Sequence, residues 1–437
     1  MNKKLMVVAV AGALAAPAMV FAQASSVQIY GRLNAGLDNY EAKGASLPTT
    51  GGGGLQSRMR VYDSSSRIGF RGTEDLGNGL KAIFLIESGF NADNGTAQVG
   101  QGGQANTSTG FLASRVAHVG LDSSWGTLTF GRSNVWWGNG TIEQTAANYI
   151  NAGAPLFSGS FGQGLGVGIT RYNNVMQYTS PTWNGFNTQI SYSPNNQEGV
   201  QVTSSGAAGT ADAKGNLWGI TLQWAGGPFS VGYDWVKNTS NGTYTAASPT
   251  SAIQGSVTGQ KLRAGWSYMP GAQISFLWVK SQVKNGGVAA TGNANISVAA
   301  LAAGSGATLS QSGWGLNWEH TFGNIQGLAQ YARTGNVSGC EATAIGLFTA
   351  AVDGNATTSN CSQTRSTSWL VGARYLLSKR TAAYVTYNKT TNESHAFQDY
   401  TGGAITSNNG TSTTGGAANN IAGADPRVWA FGIIHNF

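Results

Sequence analysis

The sequence predicts an all-β fold, a transmembrane barrel of sixteen antiparallel β-strands with short periplasmic turns and long extracellular loops. Three observations lead there. Segment after segment alternates large apolar with small or polar side chains, and the connectors between them alternate between short and long. Charged residues make up 10% of the chain, where about a quarter is usual in a soluble protein. The 64 glycines and low charge do not signal disorder, because 44 aromatic residues accompany them and disordered segments lack bulky apolar side chains. His118, His320, His395 and His435 are far apart, with no paired spacing of metal ligands.

At the amino-terminal end, Lys3 and Lys4 precede an apolar run from Leu5 to Ala16, then Pro17 and small residues to Ala24. That is the order of a secretory signal. Residues 1–24 are therefore expected to be a signal peptide, cut after Ala22 or Ala24, with a single barrel domain in 25–437. Gly12 and Pro17 interrupt the run before the roughly 20 apolar residues that a membrane helix needs. Loss of Lys3 and Lys4 takes the formal net charge from +7 to +5.

The first strand pattern sets Val27, Ile29, Leu33, Ala35 and Leu37 against Gln28, Tyr30, Arg32, Asn34 and Asp38. Further along, Trp218, Ile220, Leu222 and Trp224 form one face, as do Leu262, Ala264, Trp266 and Tyr268, and Trp314, Leu316, Trp318 and Phe322. The segment Arg427 to Phe437 puts Trp429, Phe431, Ile433 and Phe437 together. Successive strand residues face opposite ways, so in a lipid-embedded barrel these sets face outward, with aromatic girdles, and the others line the lumen. A soluble sandwich has the same period. Connector lengths separate the two. Short turns are read at Thr73 to Gly79, Asp122 to Gly126, Pro181 to Gly185, Ala225 to Pro228, Met269 to Ala272, Gly323 to Asn324 and Ser378 to Arg380. Between them lie eight long segments rich in Gly, Ser, Thr and Asn, near 41–54, 91–110, 134–168, 194–215, 238–258, 285–310, 335–364 and 393–425. Seven turns alternating with eight loops require sixteen strands, both ends lying on the short-turn side. The acidic pair Glu74 and Asp75 falls in the first turn and is read as turn chemistry.

Six stretches carry a resemblance: Ser25 to Gly31, Ser66 to Ala82, Glu87 to Phe90, Val119 to Leu121, Gly126 to Arg132 and Gly432 to Phe437. In order along the whole mature chain, they resemble the general porins of Gram-negative outer membranes, of the neisserial and burkholderial (beta-proteobacterial) type. The run from Ser66 to Ala82 is the most specific of them. The resemblance implies a homotrimer among outer-membrane lipids, with a third loop folded into each pore. It also implies passive diffusion of small hydrophilic solutes and ions, no cofactor, no nucleic-acid partner and no active site.

Alternation alone points Arg67 and Arg71 into the lumen when Ile68 and Phe70 face outward, and Arg32 likewise. An arginine on the lipid face at mid-membrane would cost about 2–4 kcal/mol. The resemblance adds roles at a pore constriction. Arg67, Arg115 and Arg171 match an arginine ladder on the barrel wall, Arg32 and Arg132 stand where related porins often carry further basic groups, and Glu87 matches the acid facing them. Between Arg132 and Arg171 the third loop holds Trp136, Trp137 and a single acid, Glu143. Few loop carboxylates leave a positive constriction, and a narrow pore between low-dielectric walls focuses such a field, so anions are expected to be favoured. The alternative is a solute-specific channel that binds a sugar or an aromatic compound on its loop aromatics. An enzyme needs a nucleophile, a base and an orienting group at one place. His118, read at lipid-face parity, has no evident carboxylate partner, so no enzyme is expected. Cys340 and Cys361 would meet an oxidising compartment and are expected to form a disulfide; two unpaired thiols are the alternative.

Overall fold

Alternating side chains become strands wherever the chain is described. The computed structural model describes residues 26–44, 55–95, 112–135, 171–194, 201–202, 211–212, 215–241, 254–284, 308–339, 362–394, 396, 398 and 423–437. The first eight strands are β1 (Ser26–Lys43), β2 (Leu55–Asp63), β3 (Arg67–Gly77), β4 (Leu80–Gly89), β5 (Val116–Ser123), β6 (Gly126–Asn134), β7 (Arg171–Thr179) and β8 (Phe186–Ser193). Two-residue strands β9 (Gln201–Val202) and β10 (Ala211–Asp212) pair only with each other. The rest are β11 (Gly215–Gly226), β12 (Phe229–Asn241), β13 (Gln254–Met269), β14 (Ala272–Lys284), β15 (Thr308–Phe322), β16 (Ile325–Thr334), β17 (Ser366–Leu376), β18 (Thr381–Asn392) and β19 (Asp425–Asn436).

β2 and β3 are two halves of one barrel strand, since both pair with β1, β3 opposite residues 26–32 and β2 opposite 35–42. The break between them is a bulge. Ser65 has φ 62, Ser64 donates its backbone N–H to the Asn34 carbonyl, and Asn34 donates its own to Ser66 Oγ. With β2 and β3 joined and the β9–β10 pair set aside, sixteen antiparallel strands form one sheet. It closes where β1 meets β19, and β8 joins β11 across the β9–β10 excursion. Closure leaves no free sheet edge, the condition for strands to cross lipid.

All seven expected short turns are present, joining β3–β4, β5–β6, β7–β8, β11–β12, β13–β14, β15–β16 and β17–β18. In the first, Asp75 accepts the Gly77 backbone N–H at 2.8 Å, the local capping expected of a turn aspartate. The eight long connectors join strand ends at the opposite rim. Most of their residues lie outside the described set, as do residues 1–24.

The outward set is as read from the sequence. Val27, Ile29, Leu33 and Leu37 on β1, Trp218, Ile220 and Leu222 on β11, and Trp429, Phe431 and Ile433 on β19 are all exposed. Such faces turn apolar side chains out of the barrel. Outward tryptophans and tyrosines collect near both rims, in pairs such as Trp125–Tyr178 at the turn side and Trp369–Tyr387–Trp429 at the loop side, as girdles at the membrane–water boundaries do.

The inner face differs in part from the expectation of a uniformly polar lining. Asn34, Asp38, Thr221, Asp234, Asn317, Gln330 and Asn388 are turned inward and buried. Two apolar clusters interrupt them. One joins Tyr40, Tyr62, Leu370, Tyr384, Val428 and Ile434, and the other Val135, Tyr172, Val175, Leu217, Val236 and Leu277. A two-residue period assigns faces but not polarity, so an inward Leu is indistinguishable from a lipid-facing one until register is known.

Candidate pore constriction

Glu87 organises the site. Ile86 points outward from β4, so its neighbour Glu87 points inward. Tyr30 on β1 and Gly69 on β3 stand in register with it, and the absence of a side chain at Gly69 lets the Tyr30 ring lie across β3, its hydroxyl donating to Glu87 Oε2 at 3.0 Å. The same carboxylate takes Arg115 Nε at 2.7 Å on Oε1 and has Arg67 Nε 3.5 Å from Oε2. Glu87 thus lies beside the arginines on the wall, ion-paired to two of them.

Arg115 does not belong to the alternation of β5. The chain enters that strand through residues 112–115, with Ala113 at φ 67. Arg132 is placed by another irregularity. Gly131 has φ 142, and the β6–β7 ladder shifts register so that Arg132 opposes Asn173 and Asn174, the latter at φ 55. Phe130 is outward, and an unbroken strand would send Arg132 outward too. The bulge re-aims it. Arg132 is 7% exposed and donates from Nε to the Ser114 carbonyl at 3.3 Å and from Nη1 to Asn173 Oδ1 at 2.5 Å. Arg171, opposite Asn134, feels the charges of Arg115, Glu87, Arg132 and Arg67. Arg32 faces Arg67 directly across the β1–β3 ladder and donates from Nη2 to the Ser65 carbonyl at 3.3 Å. Arg71 donates to Gln28 Oε1 at 2.8 Å, its guanidinium 5.3 Å from the Tyr30 ring centre.

The fold therefore brings Arg67, Arg115 and Arg171 within electrostatic reach of Glu87 on the arc β3–β7, with Arg132 beside Arg115 and Arg32 at the border. Such a group holds a fixed excess of positive charge against the lumen and can do electrostatic work on passing ions. Glu143, Trp136, Trp137, Cys340 and Cys361 lie outside the described residues. The last described residue before the third loop, Val135, is 2% exposed and reaches Gly219 on the inner face of β11.

His118 needs a correction. Val119 and Leu121 are exposed, so His118 sits at lumen parity, its Nδ1 3.3 Å from Ser133 Oγ. Arg115 does not set the parity of β5, because it precedes the regular strand. Among the described residues no three His, Cys, Asp or Glu side chains gather as metal ligands.

Two further lumen clusters were not singled out from sequence. Arg60 Nη2 lies 3.1 Å from Asp38 Oδ2, and its guanidinium is 4.9 Å from the Tyr40 ring centre. Asp234 pairs with Arg263 at 2.8 Å and Lys261 at 3.5 Å while accepting Thr221 Oγ1 at 2.6 Å. Lys261 and Arg263 were legible as inward polar positions. Asp234, on the adjacent strand, becomes their partner only through register.

Comparison with known proteins agrees with this architecture. The family model described as Gram-negative porin matches residues 6–395. An outer membrane porin protein of Bordetella pertussis is 34% identical over 237 residues, covering 50% of this chain and 56% of the relative. Outer membrane porin protein 32 of Delftia acidovorans is 32% identical over 238 residues, covering 53% and 58%. The chain spans about half the length of the curated relatives it matches. Among solved structures, an anion-selective porin from Comamonas acidovorans superposes with a TM-score of 0.61 at 21% identity, covering 94% of this chain and all of that one, which speaks for the fold. Closed barrel, connector asymmetry and family match converge: this chain belongs to the Gram-negative porins, β-barrel proteins of the outer membrane.

Proposed function

We propose that the chain is a passive diffusion channel for small hydrophilic solutes and ions that favours anions. The observation that carries this reading is the pairing of Arg67 and Arg115 with one carboxylate, Glu87, with Arg132 and Arg171 close enough to Arg115 to add their charge. These five residues, with Arg32 and Glu143, form the constriction in this reading, and the third loop narrows the pore from its start at Val135. Fixed cations on a narrow low-dielectric wall raise the local anion concentration without binding any anion tightly. Reversal potentials of the purified protein in planar bilayers under a salt gradient test it. Anion preference is expected, and cation preference overturns the reading.

The functional unit in this reading is a homotrimer. The two sides of the barrel wall support it, because among the described residues strands β1 to β6 place no Trp or Tyr on the outer face, whereas β7, β8 and β11–β19 carry many. Aromatic side chains with a polar tip suit a lipid–water boundary, and a wall lacking them suits another protein surface. Electrophoresis of unheated and heated samples tests this, a monomer in both overturning it. The signal cleavage after Ala22 or Ala24 and the Cys340–Cys361 disulfide complete the reading, both open to intact-mass measurement with and without reduction.

A further inference from the structure

The basic groups assigned to the constriction, Arg32, Arg67, Arg115, Arg132 and Arg171, are all guanidiniums, which do not give up their proton in proteins. One lumen group of another kind stands beside them. Its row across the inner wall runs Arg71, Leu85, His118 and Gly131, in register on β3, β4, β5 and β6. The next row toward the loops holds Glu87 opposite Val116. His118 and Glu87 are therefore diagonal neighbours on adjacent strands, a spacing of about 7–8 Å between Cα atoms. The imidazole is half-buried, flanked by Leu85 on one strand and by a glycine on the other. Among the described residues its one hydrogen-bond partner is Ser133 Oγ, 3.3 Å from Nδ1, and no carboxylate lies within ion-pair distance. A hydroxyl serves either charge state of the ring: it donates to Nδ1 of the neutral imidazole and accepts from Nδ1–H of the imidazolium. The contact therefore holds His118 in place without fixing its charge.

We infer that His118 is a further selectivity-determining residue of the channel, adding a positive charge to the lumen wall when protonated and withdrawing it when neutral, given that the channel favours anions as proposed above. The charges that face it fix the sign of the effect. Glu87 faces it from β4 and Arg132 from β6, with Arg115 at the entry to β5 itself. Arg67 and Arg71 stand beyond β4 on β3, and Arg171 beyond β6 on β7. Nearer the turns, Lys81 stands in register between Asp75 and Asp122, the latter four residues from His118 along β5. On the far wall Asp234 is already paired with Lys261 and Arg263. Guanidiniums thus outnumber carboxylates around His118, and an imidazolium strengthens a positive field that is already present. Histidine is the side chain whose ordinary charge change falls between about pH 5 and pH 8, so the wall gains or loses this charge over a range in which the guanidiniums stay charged.

The test uses the full chain in planar bilayers under a potassium chloride gradient, with reversal potentials read from about pH 8 down to about pH 4.5. Wild type, His118→Gln and His118→Lys are compared. Carboxylates begin to protonate at the acid limit, a contribution that His118→Gln retains and so subtracts. Anion-over-cation permeability of the wild type is expected to rise on acidification by roughly twofold more than that of His118→Gln. His118→Lys, charged over the whole range, is expected to show at pH 8 the higher ratio that the wild type reaches only in acid. An equal rise in wild type and His118→Gln overturns the inference, as does wild-type selectivity in His118→Lys at pH 8. Either comparison decides if the other variant does not fold. Cation preference of the wild type at every pH overturns the anion-channel reading and this inference with it, whereas anion preference that is the same in all three channels overturns the inference alone.

Discussion

Val135 Cγ1 lies 2.3 Å from where a Cβ on Gly219 would stand, so the side chain that begins the third loop occupies the space left by a glycine three barrel strands away. Gly219→Ala is expected to push Val135 off the wall and change single-channel conductance. Adding Val135→Ala to the same chain should restore it, because the second change removes the colliding methyl groups. Planar-bilayer recordings of the two variants check this. Unaltered conductance in Gly219→Ala would mean that the contact does not set the pore.

Glu87→Gln removes a negative charge shared by Arg67 and Arg115 while keeping its shape. Anion-over-cation permeability should rise by roughly twofold, and the gain should fade near 1 M salt, where the Debye length falls to about 3 Å. Stability should drop by up to about 3 kcal/mol, since the buried Arg115 and the part-buried Arg67 each lose an ion pair. Reversal potentials at several salt concentrations and unfolding in urea from liposomes measure the two effects.

Gly131→Ala places a Cβ 2.1 Å from the Ala117 carbonyl oxygen at a backbone φ of 142. The strain alone is worth about 1–3 kcal/mol, and its relief requires flattening the bulge that turns Arg132 inward. Both the unfolding midpoint and the anion preference are expected to fall. A lower midpoint with unchanged selectivity would show that Arg132 lies outside the ion path.

At the closing seam, Tyr62 and Tyr384 meet hydroxyl to hydroxyl at 2.5 Å, and Tyr384 also donates to Asn34 Oδ1 at 2.8 Å. Tyr384→Phe should destabilise the barrel by about 1–3 kcal/mol, the usual cost of leaving buried polar groups without a partner. The double variant with Tyr62→Phe should cost less than the two single changes added together, because they share one interaction. Denaturant midpoints of the three variants check it.

Much of this architecture was legible in the chain. Turns announced by Gly, Pro and Asn fixed the connectors, and the outward faces of β1, β11, β15 and β19 followed from a two-residue period. Arg32, Arg67 and Arg71 were readable because they lie on regular strand. Arg115 and Arg132 were placed through the resemblance instead, since an irregular entry and a bulge set their directions and neither shows in a period. The break at Ser65 was hidden for the same reason. Inward Leu217, Leu277 and Leu370 escaped because hydrophobicity there meant packing inside the barrel rather than contact with lipid.

The pairing of β1 with β19 also bears on how the molecule is made. The strand that leaves the ribosome early keeps one row of amides and carbonyls unmatched until a strand nearly 400 residues later arrives, and such a bare row is a template for joining other chains. Long-range closure of this kind is slow. The exposed interval between synthesis and insertion therefore calls for an escort that masks the waiting strand.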